Sequence, residues 1–343
     1  MQASPQWVKG RFSNGLSERV DLPQVLRNFL KRSKHRFPEL PVPLAPSDAG
    51  RFAALPASGL RLTWLGHSST LVEIDGVVLL LDPVWGPRSS PSPHLGPRRF
   101  FEPPWALQDL PRPHAVLISH DHYDHLDEPT IRAMRDWDTR FVVPLGVGAH
   151  LELWGVPASR IVELDWWQEL ALKGITLVCT PSRHFSGRGI FNRNSTLWSG
   201  WAMIGPRHRV YYSGDGAMTG HFSELGKRYG PFDASLMEAG AYDPAWSDLH
   251  GGPEQAVEAW KALRGGLLLP VHWGTFNLAF HTWTEPVERM IVAAAAAGAR
   301  MFVPQPGESV EPATAPPLRR WWPDLPWRTA QESPMVSGDQ GLA

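Results

Sequence analysis

The chain has a single cysteine, Cys179, among its 343 residues. No intrachain disulfide can form, and a thiolate metal cage is excluded. Cys179 sits in the strand-like run Ile175-Thr176-Leu177-Val178-Cys179, which makes it a packing residue. A charge of one sign is also missing. The formal net charge of −1 provides no basic field of the kind that draws proteins to nucleic acid, so no nucleic-acid partner is expected. No apolar run approaches the length of a transmembrane helix, and Met1 to Gly10 lacks the apolar core of a signal peptide. A cytoplasmic location is the resulting expectation. The 34 prolines and 17 tryptophans are many, pointing to ordered irregular connections and to rings that line a pocket, touch lipid or fill the core.

The densest chemistry lies in Ser119-His120-Asp121-His122-Tyr123-Asp124-His125-Leu126, directly after the apolar run Ala115-Val116-Leu117-Ile118. That run is short, branched and uncharged, and it reads as a buried strand. A strand end is rigid, so the loop leaving it can turn several side chains toward one point. His120 and His122 alternate and leave an extended segment on the same side, where they can share one ion. Asp124 and His125 follow as the chain bends and can serve a second ion. Neutral imidazole with carboxylate suits zinc, iron or manganese.

His120-Asp121-His122-Tyr123-Asp124-His125 resembles the signature of the metallo-β-lactamase-fold hydrolases. Three further strings narrow the likeness: Trp64-Leu65-Gly66-His67-Ser68, Leu80-Leu81-Asp82-Pro83-Val84-Trp85, and His272-Trp273-Gly274-Thr275-Phe276. Together they are similar to the N-acyl-phosphatidylethanolamine phospholipase D branch of that fold. A lactonase branch shares the Gly-His and Asp-Pro features more loosely. The resemblance implies an α/β protein with the four-layer αβ/βα sandwich of the family.

Taken along the chain, residues 1–58 read as an arm and linker, with a short helix from Leu22 to Lys31 capped by Asp21. Residues 59–310 read as the catalytic domain. Strands are expected at Leu60–Leu65, Ser69–Ile74 and Val77–Leu81, the last two joined by Asp75-Gly76. Further strands are expected at 141–144, 161–164, 168–172, 175–180, 210–213, 232–238, 267–271 and 301–304. Helices are expected at 126–137, 146–154, 253–263 and 286–298. Residues 311–343 read as a proline-rich, mobile tail. Its Arg319-Arg320-Trp321-Trp322 and Trp327-Arg328 would either dock on the domain or make peripheral contact with a membrane.

The resemblance assigns roles to individual positions. His120, His122 and His184 would hold one ion, and Asp124, His125 and His272 the other, with Asp215 in Gly214-Asp215-Gly216 shared between them. Two divalent ions about 4 Å apart, zinc before iron or manganese, would hold a hydroxide between them. Asp124 would orient that hydroxide, and His250, similar to the family's pocket histidine, would meet the leaving group. Arg188 would bind a phosphate oxygen. His67 reads as a loop-fixing residue, and Asp82 either as a partner for a ligand histidine or as a turn cap. Arg88, Arg98 and Arg99 could meet an anionic substrate.

The implied reaction is hydrolysis of a phosphodiester, with an N-acyl-phosphatidylethanolamine-like phospholipid as substrate. The alternative is a lactonase or other carboxyl-ester hydrolase on a small polar or phosphorylated substrate. A di-iron oxygen or nitric oxide reductase would carry Glu at position 122 and a flavin domain. A dead binding module would have lost ligands, and none is missing here.

Overall fold

In Val77-Val78-Leu79-Leu80-Leu81 every side chain is apolar, so both faces of the strand must be covered. The computed structural model, which describes residues 1–189 and 191–338, covers them differently. Val77, Leu79 and Leu81 enter the core between two sheets, whereas Val78 and Leu80 enter a separate core beneath helices. The period-two geometry of a strand divides the set.

The arm carries β1 (Trp7–Val8), β2 (Arg11–Phe12) and α1 (Leu22–Leu30). The first half follows as β3 (Leu60–Gly66), β4 (Ser69–Ile74), β5 (Val77–Leu81), β6 (Ala115–Leu117), α2 (Glu128–Met134), β7 (Arg140–Pro144), α3 (Gly148–Leu153) and β8 (Ile161–Leu164). The second half holds β9 (Glu169–Leu172), β10 (Ile175–Thr180), β11 (Gly200–Ile204), β12 (Arg209–Tyr212), α4 (His221–Arg228), β13 (Ala234–Glu238), α5 (Pro253–Leu263), β14 (Leu267–Val271) and α6 (Glu285–Ala296). A last strand, β15 (Ser309–Val310), returns to pair with β3.

These strands form a seven-stranded sheet in the order β15-β3-β4-β5-β6-β7-β8 and a six-stranded sheet in the order β14-β13-β12-β11-β10-β9. Each half begins antiparallel and ends parallel: β5 through β8 run parallel in one sheet, and β12 through β14 in the other. Helices α2 and α3 bury Ile131, Met134 and Leu151 against the outer face of the first sheet. Helices α4 to α6 bury Leu225, Leu263, Val287 and Met290 against the second. The result is the four-layer αβ/βα sandwich. Its parallel strands end at one edge, and in such sheets the crevice beyond the carboxyl ends is where ligands are bound.

Three expectations need correction. Only Met301 of the run 301–304 pairs, through one isolated bridge to Leu268, because the chain turns away at Pro304. Helix α4 and strand β11 were not anticipated. The tail as far as Gly338 lies against the domain, with Trp322 buried and its indole donating to Glu288 at 2.7 Å. Arg320 pairs with the same carboxylate at 3.0 Å. Residues 339–343 of the expected mobile tail lie outside the described residues.

Candidate metal centre

β6 ends at Leu117, and the next residues carry the imidazoles into the crevice. His120 Nε2 lies 2.8 Å from His122 Nδ1, and His184 Nε2, past the end of β10, lies 3.3 Å from the same atom. This is one cluster. The second brings Asp124, His125 and His272 together with His67. Asp124 Oδ2 lies 2.9 Å from His67 Nε2, 3.1 Å from His272 Nε2 and 3.5 Å from His125 Nε2.

Asp215, just past β12, stands between the clusters. Its Oδ2 is 3.2 Å from His125, 2.9 Å from His272, and 3.9 Å from both His120 and His184. Its other oxygen, Oδ1, is buried with no hydrogen-bond partner among the described residues. A buried carboxylate oxygen with nothing to accept from is costly unless a cation meets it. The carboxylate reaches this position because Gly214 has φ +58° and packs tightly, an added Cβ falling 2.4 Å from the Ser199 carbonyl oxygen. Three non-glycine residues around the site share the left-handed region: His67 (φ 52°), Asp82 (φ 36°) and His272 (φ 63°). Such conformations cost free energy and gather where side-chain aim matters.

Partners of the outer nitrogens set the aim of the rings. His125 Nδ1 donates to Asp82 Oδ2 at 2.7 Å, and Asp82 Oδ1 accepts from the Ser119 amide at 2.7 Å. His184 Nδ1 donates to the Leu249 carbonyl at 2.9 Å. Both rings therefore turn Nε2 inward, as ligand histidines do. The arm contributes too: Asn14 donates to the His184 carbonyl at 2.8 Å and accepts from the Trp198 indole at 2.8 Å.

The charges favour cations. Burial drives His120 and His184 well below their ordinary range, and lowers His122 to about 4 and His67 to about 3. These rings are neutral at neutral pH, with lone pairs to give. Burial also opposes charge on His272, but Asp215, Asp124 and Glu238 outweigh it and raise that group to about 10. His125 is raised well above its usual value, burial being outweighed by Asp215 and Asp124. Asp124 and Asp215 themselves stay well below the carboxylate range: burial opposes their ionisation, and His125 more than offsets it. The two carboxylates thus draw positive charge, as protons on His125 and His272 when nothing else supplies it. The donor set fits metal ions.

His250 and Arg188 take different positions. The His250 ring borders the cluster, with Nδ1 hydrogen-bonded to Glu238 and 4.0 Å from Asp215. Its side chain is 14% exposed and that of Asp124 12%, whereas Asp215, His125 and His272 are at most 1% exposed. Solvent therefore reaches the cluster along the edge of His122, Asp124 and His250. Arg188 lies beside the cluster, its Nη1 donating to the carbonyls of Asp121 (2.8 Å) and Leu126 (2.7 Å) while the guanidinium covers the Tyr123 ring. Those contacts brace the histidine loop from behind. Arg88 and Arg99 likewise donate to carbonyls of their own loop, at Gly96 (2.6 Å) and Val84 (2.9 Å).

Glu238 is the functional-site residue that sequence reasoning passed over. It is the last residue of β13 and 95% buried, and its Oε2 accepts from the Gly216 amide at 2.6 Å. Burial raises its pKa, with Asp215 adding to the effect. The signal was its place at a strand end beside two that deliver site residues, β12 and β14.

Comparison with known proteins shows the family. A family model described as "Beta-lactamase superfamily domain" matches residues 78–273. An uncharacterized protein of Mycobacterium tuberculosis is 46% identical over 331 residues, covering 94% of this chain and 88% of its own. An N-acyl-phosphatidylethanolamine-hydrolyzing phospholipase D of Caenorhabditis elegans is 38% identical over 246 residues, covering 68% of this chain and 69% of its own. Among solved structures, a metallo hydrolase of Ignicoccus hospitalis superposes with a TM-score of 0.57 at 24% identity, covering 73% of this chain and 97% of that one.

Proposed function

From a chain that belongs to the metallo-β-lactamase superfamily, in the branch that includes N-acyl-phosphatidylethanolamine-hydrolyzing phospholipase D, we propose a two-metal phosphodiesterase acting on a phospholipid of that kind. The protein is a metal-dependent hydrolase; the metal count, the ligand assignment and the substrate are our reading. One observation carries it. The Asp215 carboxylate sits within 4 Å of imidazoles from both clusters and keeps one buried oxygen unpartnered.

His120, His122 and His184 would hold one ion and Asp124, His125 and His272 the other, with Asp215 common to both. Imidazole-rich donors favour zinc, and iron or manganese would also be accepted. When bound, the ions would supply Lewis acidity toward a phosphoryl oxygen and acidify a water. The protein's own groups do the rest. Asp124, on the open edge, orients the attacking water. His250, held through Nδ1 by Glu238, leaves Nε2 free to give a proton to the departing alcohol oxygen. Water oxygen joins phosphorus, the bond from phosphorus to that alcohol oxygen breaks, and the proton completes the alcohol. Arg188 holds the histidine loop through the Asp121 and Leu126 carbonyls and also lines a groove beside Tyr123. That groove, of about 620 Å³ and lined also by Ser90, His150 and Trp154, has room for part of an extended substrate.

The test is turnover of N-acyl-phosphatidylethanolamine, a bis-aryl phosphate and small lactones by the same metal-loaded sample. Release of phosphatidic acid and N-acylethanolamine is expected. Cleavage of lactones with neither phosphodiester touched would overturn the substrate.

A further inference from the structure

Helix α1 carries an apolar stripe that stays largely exposed among the described residues, with Phe29 alone meeting another ring, that of Phe280 at 6.0 Å. Leu22, Leu26 and Leu30 recur at four-residue spacing with Phe29 beside them, so they share one face. They are 70%, 63%, 74% and 46% exposed in that order, and no residue of the helix is buried. The apolar surface continues past the helix through Phe37 and Leu40, which are 50% and 76% exposed. A contiguous exposed patch of this kind marks an interaction surface.

The charges beside the stripe identify the partner. From Leu22 to Pro38 the sequence has Arg27, Lys31, Arg32, Lys34 and Arg36 and no acidic residue, in a chain whose formal net charge is −1. None of these five cations forms an ion pair among the described residues. Arg27, Lys31, Arg32 and Lys34 are exposed. Arg32 folds over the Phe29 ring at 4.1 Å, its stem lying on the apolar face and its charge at the rim. Pairing α1 with a second copy would set five cations against five. An anionic surface neutralises them while accepting the leucines, and a short amphipathic helix with a basic rim lies in the plane of such a surface.

The helix is also placed for it. The Asp21 amide donates to the Ala245 carbonyl at 2.8 Å, and Asn28 donates to Asp243 at 2.7 Å, so α1 rests on the turn Pro244–Trp246. His250 follows that turn, its amide 3.4 Å from the Trp246 carbonyl. The inner side of α1 therefore rests on the segment that leads to His250.

We propose that α1 docks the protein on an anionic phospholipid bilayer, with Leu22, Leu26, Phe29 and Leu30 inserted and Arg27, Lys31, Arg32 and Lys34 facing the headgroups. The proposal deepens the lipid reading above and rests on it for its purpose, but its test needs no turnover. Flotation with phosphatidylcholine vesicles, with and without phosphatidylglycerol and free of any N-acyl lipid, should show binding only to the anionic set, weakening as salt rises. The Leu26→Glu/Leu30→Glu variant should bind at least about tenfold more weakly, the scale expected when two buried leucines are lost. Arg27→Glu/Lys31→Glu should lose the salt-sensitive part. Both variants change exposed residues outside the metal centre, so metal content and turnover of a soluble bis-aryl phosphate should match the parent. Absent binding, or equal binding by parent and Leu variant, would overturn the proposal. So would a dimer in lipid-free solution that the Leu variant dissolves. Vesicle binding without any phosphodiester turnover would uphold docking and overturn the catalytic reading instead.

Discussion

The Asp82 carboxylate accepts a hydrogen bond from His125 Nδ1 at 2.7 Å and from the Tyr212 hydroxyl at 2.5 Å, tying the first sheet's His loop to the second sheet. Asp82 is wholly buried at the end of β5, Tyr212 at the end of β12. The contact makes His125 present Nε2, and only Nε2, to the metal centre. Replacing Asp82 by Asn keeps the shape and removes the charge. Metal affinity should fall about 10- to 100-fold, the scale seen when a ligand histidine loses its outer carboxylate. Chelator competition on folded protein measures this, and unchanged affinity would mean that Asp82 only caps its turn.

Glu238 and His250 form a second such pair, on the exposed edge. His250→Ala should lower kcat about a hundredfold or more with metal content retained. Glu238→Gln should lower kcat less, again with metal content retained. Loss of metal from His250→Ala would instead make that ring a ligand.

Arg188 separates bracing from substrate binding. Arg188→Lys keeps a positive charge but cannot reach both the Asp121 and Leu126 carbonyls. Loss of two part-buried hydrogen bonds should destabilise the fold by about 1–2 kcal/mol, seen as a lower Tm. A raised KM with an unchanged Tm would return Arg188 to the substrate.

His272 gives a pH dependence. Its folded value of about 10 lies above the ordinary 6.5. The stabilisation from protonated His272 between Asp124 and Asp215 is therefore full below the unfolded value and is lost as pH rises through the folded one. Chelator-treated protein should melt at progressively lower temperature from about pH 6.5 to 10, and metal-loaded protein should resist that decline. A Tm that rises over this range after chelation would contradict the charge balance described for the site.

Much of this was legible from residues alone. The β4–β5 hairpin announced itself through Asp75-Gly76, and the three strand ends that deliver the ligand histidines, those of β6, β10 and β14, share one pattern, an apolar run followed by chemistry. What stayed hidden depends on three dimensions. A glutamate ending a strand looks like any other until Gly216 and His250 are seen against it. Trp198 and Trp201 fill the core, one of the three uses open to the chain's tryptophans, Trp201 donating to the Ile118 carbonyl at 3.0 Å. Gly200 disguised the start of β11, and the polar sequence of α4 disguised a helix held by Phe222 and Leu225. Arg88, Arg99 and Arg188 each donate to backbone carbonyls, a use no sequence pattern announces, since five hydrogen-bond donors suit a loop as well as a phosphate.

The most direct test counts metal ions per folded chain and follows N-acyl-phosphatidylethanolamine turnover through chelation and reloading, with Asp215→Ala in parallel. Two ions per chain are expected in the parent, with turnover lost on chelation and regained on reloading, and an Asp215→Ala protein that is folded, short of metal and inactive. One ion or none, turnover indifferent to chelation, or full activity in Asp215→Ala would contradict a two-metal centre joined by that carboxylate.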